Sequence, residues 1–474
     1  MEILHISAEC YPAAKAGGLG DVVGSLPKYL NKAGAEATVI IPKYSTKWLN
    51  NQSYKTLYQG SIDHFNRKVG FRILEVEKVE LGFSLYVADL PGLYDREGIY
   101  VGPGGAYSDE SERAIYFQEA ILQWILQMEN RPDILHCHDH HCALIPFIIN
   151  YCPDYRALHK VPTVFTIHNG EYQGAFSWNR QYLLPPYYKD DRGLLDWKST
   201  INPMAAAVKC CWRLTTVSQG YMDELRQESN GLGWLFNSES GKSKGIMNGI
   251  DTEVWDPKKD KLIAHPMKRS LATFKKKNKE ALREYFHIEG DLPIITFIGR
   301  LVGEKGADLL PELISRFLQS GGRATFLLLG TGEPKLEAAF REMKQRYAPY
   351  FDARLEYNEK IAHQLYAGSD FLLMPSRVEP CGLNQLYALR YGTIPMVRNI
   401  GGLKDSISDI GFENGYGITF DHYSVSSAFS SLARAAQLYA DQKTFDLIRK
   451  RTIALDFSWE KSAKEYMEIY ESML

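Results

Sequence analysis

Short apolar segments of strand length recur along this chain, and each ends in a polar or glycine loop before a helical pattern resumes. These segments are rich in β-branched and aromatic residues, and they lie at residues 3–7, 37–41, 134–136, 163–167, 213–217, 294–298, 324–329 and 370–374. Strands that alternate with helices in this way usually pair in parallel, with helices on both faces of the sheet. The pattern predicts an α/β fold of doubly wound parallel sheets, in which ligands bind outside the carboxyl ends of the strands.

The series of strands and helices runs twice, which predicts two domains. The chain has 474 residues, too many for one ordinary domain and enough for two. We expect the first domain over residues 1–247 and the second over residues 248–459. The charged stretch 256–279 suits a connecting helix or loop, and we interpret its lysines (Lys275 to Lys277, and Lys279) as a solvated helix face.

Composition excludes several classes of protein. The net charge of -2 leaves no electrostatic footprint for nucleic acid. No apolar run approaches the roughly 20 residues that span a bilayer, and no leader segment precedes the first strand. Seven scattered cysteines argue for a reducing compartment. We therefore expect a soluble cytoplasmic protein that binds neither nucleic acid nor membrane.

In the second half of the chain, charged residues follow two of the strands. Residues 375–383 (Pro-Ser-Arg-Val-Glu-Pro-Cys-Gly-Leu) come after an apolar strand and place Glu379 near its carboxyl end. A helical pattern begins next, and the free N–H groups of a helix N-terminus suit phosphate. Arg300 and Lys305 follow the strand at 294–298, where two cations could hold a diphosphate while its charge grows during bond cleavage.

In the first half, a glycine loop at residues 15–21 follows the first strand. Its glycines let the backbone approach a ligand closely, and Lys15 could reach a phosphate or an acceptor. The pair Gly18 and Gly20 is followed by Val23, where a dinucleotide fingerprint requires Gly or Ala. The loop therefore argues against a nicotinamide oxidoreductase.

A histidine-rich run at residues 136–142 resembles a metal site at first sight. Side chains alternate along a strand, so His136, His138 and His140 could share one face. Structural zinc sites usually draw paired ligands from separated loops, and the sequence has no second pair. We favour a strand end whose polar residues face a cleft, with Asp139 contacting sugar hydroxyls.

His168 follows the strand at 163–167 and could bind a sugar hydroxyl or orient the reacting bond. The chain has no Asp-x-Asp pair, which many single-sheet glycosyl-transfer folds use to hold a metal under the diphosphate. We therefore expect a metal-free site in which Arg300, Lys305 and helix dipoles supply the positive charge. The sequence also lacks a P-loop and a Gly-x-Ser-x-Gly elbow, which weakens kinase and hydrolase interpretations.

Taken together, these motifs resemble the bacterial glycogen synthases and plant starch synthases over essentially the whole chain. The matching segments are residues 15–21, 136–139, 168–174, 248–251, 300–305, 379–382 and 456–459. The resemblance implies the GT-B architecture, with two Rossmann-like domains facing a deep cleft and residues 460–474 crossing back onto the first domain. It also implies transfer of glucose from ADP-glucose to the non-reducing end of an α-1,4-glucan such as glycogen, with retention of configuration and no cofactor.

The resemblance also implies roles for individual residues. Arg300 and Lys305 would stabilise the leaving diphosphate. Glu379 would position the glucose ring, while His168 and Asp139 would contact the sugar near the reacting centre. The other expected substrate-binding residues are Lys15, Gly18, Asp21, Tyr94, Tyr172, Asn248, Tyr357, Cys381, Gly382 and Leu383.

Alternatives remain open at the level of sequence. UDP-glucose could replace ADP-glucose, because stacking of Tyr357 on the nucleobase tolerates either base. A related enzyme on the same fold, such as an epimerase or a glucan phosphorylase, is a second possibility. A non-catalytic glucan-binding protein is a third, and it would bind glucan while ignoring the nucleotide.

Overall fold

The computed structural model describes residues 1–64, 67–96, 98–102, 105–288 and 290–474. Two compact units are present. Unit 1 comprises Met1–Val217, Met222–Ile246 and Trp459–Leu474, and unit 2 comprises Ser218–Tyr221 and Met247–Ser458. Among the described residues, no helix combines the length and the apolar character needed to cross a membrane.

Unit 1 is an α/β structure. Its strands are β1 (Glu2–Ile6), β2 (Glu36–Pro42), β3 (Tyr54–His64), β4 (Arg67–Val76), β5 (Leu85–Asp89), β6 (Val101–Gly102), β7 (Gly105–Ala106), β8 (Ile134–His138), β9 (Thr163–Ile167), β10 (Asp196–Trp197), β11 (Thr200–Ile201), β12 (Arg213–Thr216) and β13 (Ser243–Gly245). The helices that lie in unit 1, wholly or for most of their length, are α1 (Gly18–Lys32), α2 (Lys47–Asn50), α3 (Glu110–Gln127), α4 (Ile145–Tyr151), α5 (Pro203–Cys210), α6 (Gln219–Gln227), α7 (Gly233–Ser238) and α16 (Trp459–Glu471).

The main sheet of unit 1 has the order β13-β12-β9-β8-β1-β2-β5-β4-β3 in the part of the chain that the structure describes. Its pairs are parallel except for β5 with β4 and β4 with β3. After β1 and β2 the chain forms the edge strand β3 and comes back inward through β4 to β5, which lies beside β2. It then crosses to the other side of β1 to add β8, β9, β12 and β13. The winding direction reverses between β1 and β8, and such switch points are where open α/β sheets bind ligands.

Unit 2 repeats this architecture. Its strands are β14 (Ile294–Ile298), β15 (Thr325–Leu329), β16 (Phe351–Arg354), β17 (Phe371–Met374), β18 (Ile394–Arg398) and β19 (Ile418–Phe420). Its helices are α8 (Leu271–Phe286), α9 (Leu310–Gln319), α10 (Pro334–Tyr347), α11 (Glu359–Gly368), α12 (Asn384–Arg390), α13 (Gly401–Ser406), α14 (Val425–Ala440) and α15 (Gln442–Ala454).

The sheet of unit 2 is parallel throughout its described strands, in the order β16-β15-β14-β17-β18-β19. All five residues of β15 are buried, as expected for a parallel strand with both faces covered. The winding direction reverses between β14 and β17. The loops after these two strands carry Arg300, Lys305 and Glu379, so the sheet brings these residues to its own switch point.

One expectation about unit 2 is wrong. Lys276 and Lys277 are exposed as expected, but Lys275 and Lys279 are not part of a solvated face, because they lie on the inner side of α8. Lys275 is only 2% exposed, and its Nζ donates to Thr393 Oγ1 at 2.7 Å. Lys279 Nζ lies 2.7 Å from Asp370 Oδ2. Residues four apart share one helix face, so both lysines turn inward together and each finds a polar partner there.

Candidate active site

A buried carboxylate shapes the glycine loop that follows β1. Glu9 Oε2 accepts hydrogen bonds from the backbone N–H of Ala16 at 2.5 Å and of Gly17 at 2.9 Å, while Tyr100 donates to Oε1 at 2.6 Å. Burial raises the pKa of Glu9, although these three donors oppose that effect. The hydrogen bonds of Glu9 therefore fix the backbone conformation of the glycine loop.

The loop presents a charged pair beside an open stretch of backbone. Lys15 Nζ lies 2.6 Å from Asp21 Oδ1, and both side chains are about one-third exposed, at 33% and 28%. A Cβ atom added to Gly18 would meet no atom within 4 Å, whereas one on Gly20 would lie 3.2 Å from Glu9 Oε2. Packing therefore accounts for Gly20, and it does not account for Gly18.

Asp139 joins the loop after β8 to the loop after β9. Its Oδ1 accepts a hydrogen bond from the backbone N–H of His168 at 2.7 Å. Its backbone has φ 56° and ψ 179°, a region that is otherwise nearly restricted to glycine and costs about 1–3 kcal/mol. Such strain persists only where the surroundings impose it, and it concentrates at functional sites.

His168 is held in the same place by its ring. The side chain is mostly buried, and its Nε2 lies 2.9 Å from Nδ1 of His138. Burial lowers the pKa of His168, although Asp139 acts in the opposite direction. The imidazole is therefore neutral at physiological pH.

The histidines of β8 differ from the expected arrangement. His136 and His138 do share a face, with ring centroids 4.2 Å apart, but both are fully buried inside unit 1. His136 bonds to Tyr470 OH at 2.7 Å and to Thr166 Oγ1 at 2.6 Å. β8 ends at His138, so the alternation stops there and His140 turns instead to Glu110, with Nε2 3.0 Å from Oε1.

Two groups of side chains in the described part of the chain could hold a metal by spacing alone, His5 with His136 and His138, and Glu110 with His140 and His141. In the first group, both ring nitrogens of His136 and of His138 already take part in hydrogen bonds. Within this group, Nε2 of His5 is the one ring nitrogen that has no hydrogen-bond partner among the described residues. The histidines of this group are therefore linked by hydrogen bonds inside unit 1, and by spacing they offer three of the four ligands that a structural zinc ion takes.

The two tyrosines expected to contact substrate in unit 1 lie in different environments. Tyr94 is buried, with its ring 5.5 Å from that of Tyr44 and with the Arg113 guanidinium 4.5 Å from its centroid. Tyr172 is 57% exposed. Little of the Tyr94 ring is therefore left for a ligand, whereas Tyr172 is accessible.

In unit 2, Glu379 and Lys305 form an ion pair. Lys305 Nζ lies 2.7 Å from Glu379 Oε1, and Ser376 Oγ donates to Oε2 at 2.9 Å. The carboxylate is 6% exposed, while the lysine side chain is 24% exposed. The pair therefore has a rigid, buried acidic end and a partly accessible basic end.

Arg300 belongs to the same pair of loops. Its side chain is 58% exposed and its NH2 group lies 3.1 Å from Glu304 Oε2. The carbonyl of Glu304 accepts from the backbone N–H of Arg377 at 2.8 Å, which ties the β14 loop to the β17 loop. Gly306 has φ 72°, and a Cβ there would lie 2.1 Å from the carbonyl oxygen of Pro375. Glycine is therefore required at the closest approach of the two loops.

The remaining expected residues of unit 2 differ in accessibility. Cys381 is buried, which raises its pKa to about 12 and keeps it a neutral thiol. Asn248 is 4% exposed, and its Oδ1 is a buried acceptor without a partner among the described residues. Gly382 has φ 71°, and Leu383 is the residue before α12. Tyr357, after β16, is 81% exposed.

Sequence reasoning missed two residues that shape the site, Glu9 and His5, and it considered His138 only as one of three histidines on a shared face. Glu9 carries a recognisable signal, because a carboxylate at the carboxyl end of β1 precedes a glycine loop. His5 and His138 lie within apolar strands. A histidine in such a strand needs a buried partner, but the sequence does not say which one.

Comparison with known proteins identifies the family. Residues 2–238 match the model for the starch synthase catalytic domain, and residues 278–442 match that for glycosyl transferases group 1. The chain is 44% identical to a glycogen synthase of Flavobacterium johnsoniae, over 100% of this chain and 99% of that protein. It is 37% identical to a glycogen synthase of Streptococcus sanguinis, with 100% of each chain covered.

Comparison with solved structures leads to the same family. The catalytic domain of starch synthase IV from Arabidopsis thaliana, bound to ADP and acarbose, superposes with a TM-score of 0.88 at 32% identity, covering 100% of this chain and 99% of that one. A sucrose-phosphate synthase from Thermosynechococcus elongatus shares the fold, with a TM-score of 0.61 at 17% identity and coverage of 99% and 98%. The chain belongs to the glycogen synthase and starch synthase family, whose members are hexosyltransferases with the GT-B fold.

Proposed function

We propose that this chain transfers glucose from ADP-glucose to the non-reducing end of an α-1,4-glucan, with retention of the anomeric configuration. The observation that carries the proposal is the Lys305–Glu379 ion pair at the switch point of unit 2, with the two groups 2.7 Å apart. Support for the choice of substrates comes from the relatives named glycogen synthase and from the starch synthase IV structure, which contains ADP and acarbose.

Arg300 and Lys305 bind the leaving diphosphate in this proposal. The Lys305 ammonium has three donors, and its contact with Glu379 uses one of them. The Arg300 guanidinium has five N–H donors and is bonded to Glu304 through one nitrogen. Both cations therefore retain donors for phosphate oxygens, and both are accessible from solvent.

Glu379 orients the glucose ring. Its carboxylate is fixed by Lys305 and Ser376, so it does not have to be ordered when the sugar binds. Carboxylate oxygens accept more than one hydrogen bond each, which leaves acceptor capacity for sugar hydroxyls. A group held in this way contributes to catalysis by positioning.

We further propose that the reaction takes place on one face of the sugar. The bond between glucose C1 and the diphosphate oxygen breaks, and the acceptor hydroxyl oxygen bonds to C1 from the same side. The hydroxyl proton passes to the departing ADP oxygen, whose developing charge Arg300 and Lys305 stabilise. This route uses no protein nucleophile and no metal ion.

On unit 1, the proposal assigns His168 and Asp139 to the sugar near the reacting centre. Lys15, Gly18 and Asp21 form the second binding element, since the backbone at Gly18 is open to close approach. The seven free cysteines agree with the cytoplasmic location that we include in the proposal.

The test is incorporation of labelled glucose into glycogen from ADP-glucose and from UDP-glucose in parallel, with and without EDTA. We expect incorporation from ADP-glucose alone, at the same rate in EDTA. A preference for UDP-glucose would overturn the donor assignment, and loss of activity in EDTA would overturn the metal-free site. No incorporation from either donor would overturn the function, and an altered free sugar would indicate an epimerase.

A further inference from the structure

Three histidines form a continuous hydrogen-bonded chain that ends at His168. Nδ1 of His5 lies 3.0 Å from Nε2 of His138, and Nδ1 of His138 lies 2.9 Å from Nε2 of His168. His5 and His138 are fully buried, and His168 is 8% exposed. This series of hydrogen-bonded histidines therefore runs from the interior of unit 1 to His168, which is partly exposed.

All three rings are neutral at physiological pH. Burial lowers the pKa of His5 to about 3, and it also lowers the pKa of His138 and of His168. A neutral imidazole has one N–H donor and one acceptor nitrogen. Each contact in the chain needs one of each, so the three protons must all point toward His168 or all point away from it.

His5, at the buried end of the histidine series, distinguishes these two arrangements of the protons. If the protons point away from His168, Nε2 of His5 carries a buried N–H, and the described residues offer it no acceptor. If they point toward His168, the same nitrogen is an unprotonated acceptor. Buried N–H groups without an acceptor are rarer in proteins than buried acceptors without a donor, so the second arrangement is favoured.

The second arrangement determines the tautomer of His168. Its Nε2 accepts from His138, and its proton is therefore on Nδ1. Among the described residues, no polar group is hydrogen-bonded to this Nδ1. Nδ1 of His168 is therefore the ring nitrogen that is left for a substrate, and it would donate a hydrogen bond to the substrate.

The neighbouring residue adds a second restraint. Asp139, next to His138 in sequence, accepts from the backbone N–H of His168 at 2.7 Å. One residue thus holds the ring of His168 and the next holds its main chain. The paired strands β8 and β9, with His138 opposite Thr166, keep both contacts in register.

We propose that His138, supported by His5, is a positioning residue for sugar transfer that keeps the proton of His168 on Nδ1, so that His168 donates a hydrogen bond to the substrate. This inference rests on the proposed function, because it takes His168 to contact the sugar.

The tautomer can be measured without any assay of activity. The full chain is labelled with ¹⁵N-histidine, and long-range ¹H–¹⁵N correlations are recorded without ligand at neutral pH. The His168→Asn variant identifies the signals of His168. We expect a protonated Nδ1 and a bare Nε2, and a protonated Nε2 or a mixture of tautomers would overturn the proposal.

Kinetics of matched variants provide the second test. In His138→Asn the side-chain amide takes the place of ring Nδ1 and can still donate to His168, whereas His138→Leu removes the donor. By analogy with other partners that orient a functional histidine, we expect His138→Leu to lower kcat about 10- to 100-fold with little change in KM for ADP-glucose. His138→Asn should recover most of that loss.

His136→Leu is the control, because His136 lies on the same face of β8, is equally buried, and has no hydrogen bond to His168. We expect it to lower thermal stability while kcat is retained. An equal loss of kcat in His136→Leu and His138→Leu, or no recovery in His138→Asn, would show a purely structural role. A wild-type chain without synthase activity would refute the proposed function, and the NMR experiment would still decide the tautomer.

Discussion

Two arginines of unit 2, Arg300 and Arg341, have similar exposure and similar ion pairs, but they lie at different places in the fold. Arg300 and Arg341 are 58% and 61% exposed, and each contacts a glutamate four residues away, at 3.1 Å and 2.9 Å. Arg300 follows β14 at the switch point, whereas Arg341 lies on α10. Exposed pairs of this kind contribute at most about 1 kcal/mol, so neither arginine is explained by stability.

We predict that Arg300→Gln lowers kcat about 100- to 1000-fold, because it removes one donor to the leaving diphosphate. Arg341→Gln should leave kcat unchanged, and both variants should keep the wild-type unfolding temperature. Steady-state kinetics with ADP-glucose and a thermal melt make the comparison. Equal kinetics in the two variants would remove Arg300 from the proposed mechanism.

Two glycines of the site are expected to respond differently to a methyl group. Gly18→Ala meets no atom within 4 Å, while Gly306→Ala combines φ 72° with a carbonyl oxygen 2.1 Å away. We predict that Gly18→Ala folds with normal stability and weakens substrate binding. Gly306→Ala should lose at least about 1–2 kcal/mol of stability from backbone conformation alone. Urea unfolding and KM measurements test both variants, and normal KM values in Gly18→Ala would exclude close approach of a ligand at that loop.

At the scale of elements, helix α8 shows how a charged sequence can face a core. Lys275 is buried against Thr393, and in the described part of the chain no carboxylate accepts a hydrogen bond from it. Burial, together with the nearby Arg449 cation, lowers its pKa well below the ordinary value. The unfolded chain therefore binds the proton more tightly than the folded protein does, and stability rises with pH from the lowered pKa up to about 10.4.

We predict that Lys275→Met stabilises the protein at pH 7 by about 1–4 kcal/mol, because an apolar side chain of similar length replaces a buried ionisable group. The rise in stability between pH 7 and pH 10 should also become smaller. Lys276→Met is the control, since Lys276 is the exposed neighbour on the same helix. Chemical unfolding across this pH range measures the effect, and a less stable Lys275→Met protein would contradict it.

At the scale of the whole molecule, the last helix belongs to the first unit. After unit 2 the chain returns, and α16 packs Trp459, Tyr466 and Tyr470 into a core that includes Ile3 and Leu26. Tyr470 also bonds to His136, so the last turns of the chain support the strand that carries His138. The integrity of unit 1 therefore depends on residues that follow unit 2 in the sequence.

We predict that Trp459→Ala lowers the free energy of unfolding by about 3–5 kcal/mol, as for other buried aromatic truncations. Trp234→Ala should change it by less than about 0.5 kcal/mol, because Trp234 is 69% exposed on the same unit and Trp459 is 2% exposed. Urea titrations of both variants give the comparison, and similar losses would show that α16 contributes little to the core.

The sequence by itself determined the architecture and the family. Strand-length runs that alternate with amphipathic segments have few solutions other than doubly wound parallel sheets, and both units form them. Arg300, Lys305, Glu379 and His168 could be located at strand ends because a strand, a loop and a helix follow one another locally along the chain.

Tertiary structure decided which of these residues meet. Lys305 and Glu379 are 74 positions apart, and His5 and His138 are 133 apart. They come together because β14 lies beside β17 and β1 beside β8, and strand order is set by the packing of whole elements rather than by local pattern. The inward turn of Lys275, the burial of Tyr94 and the histidine chain share this origin, because each depends on partners that only the folded sheet brings within a few ångströms.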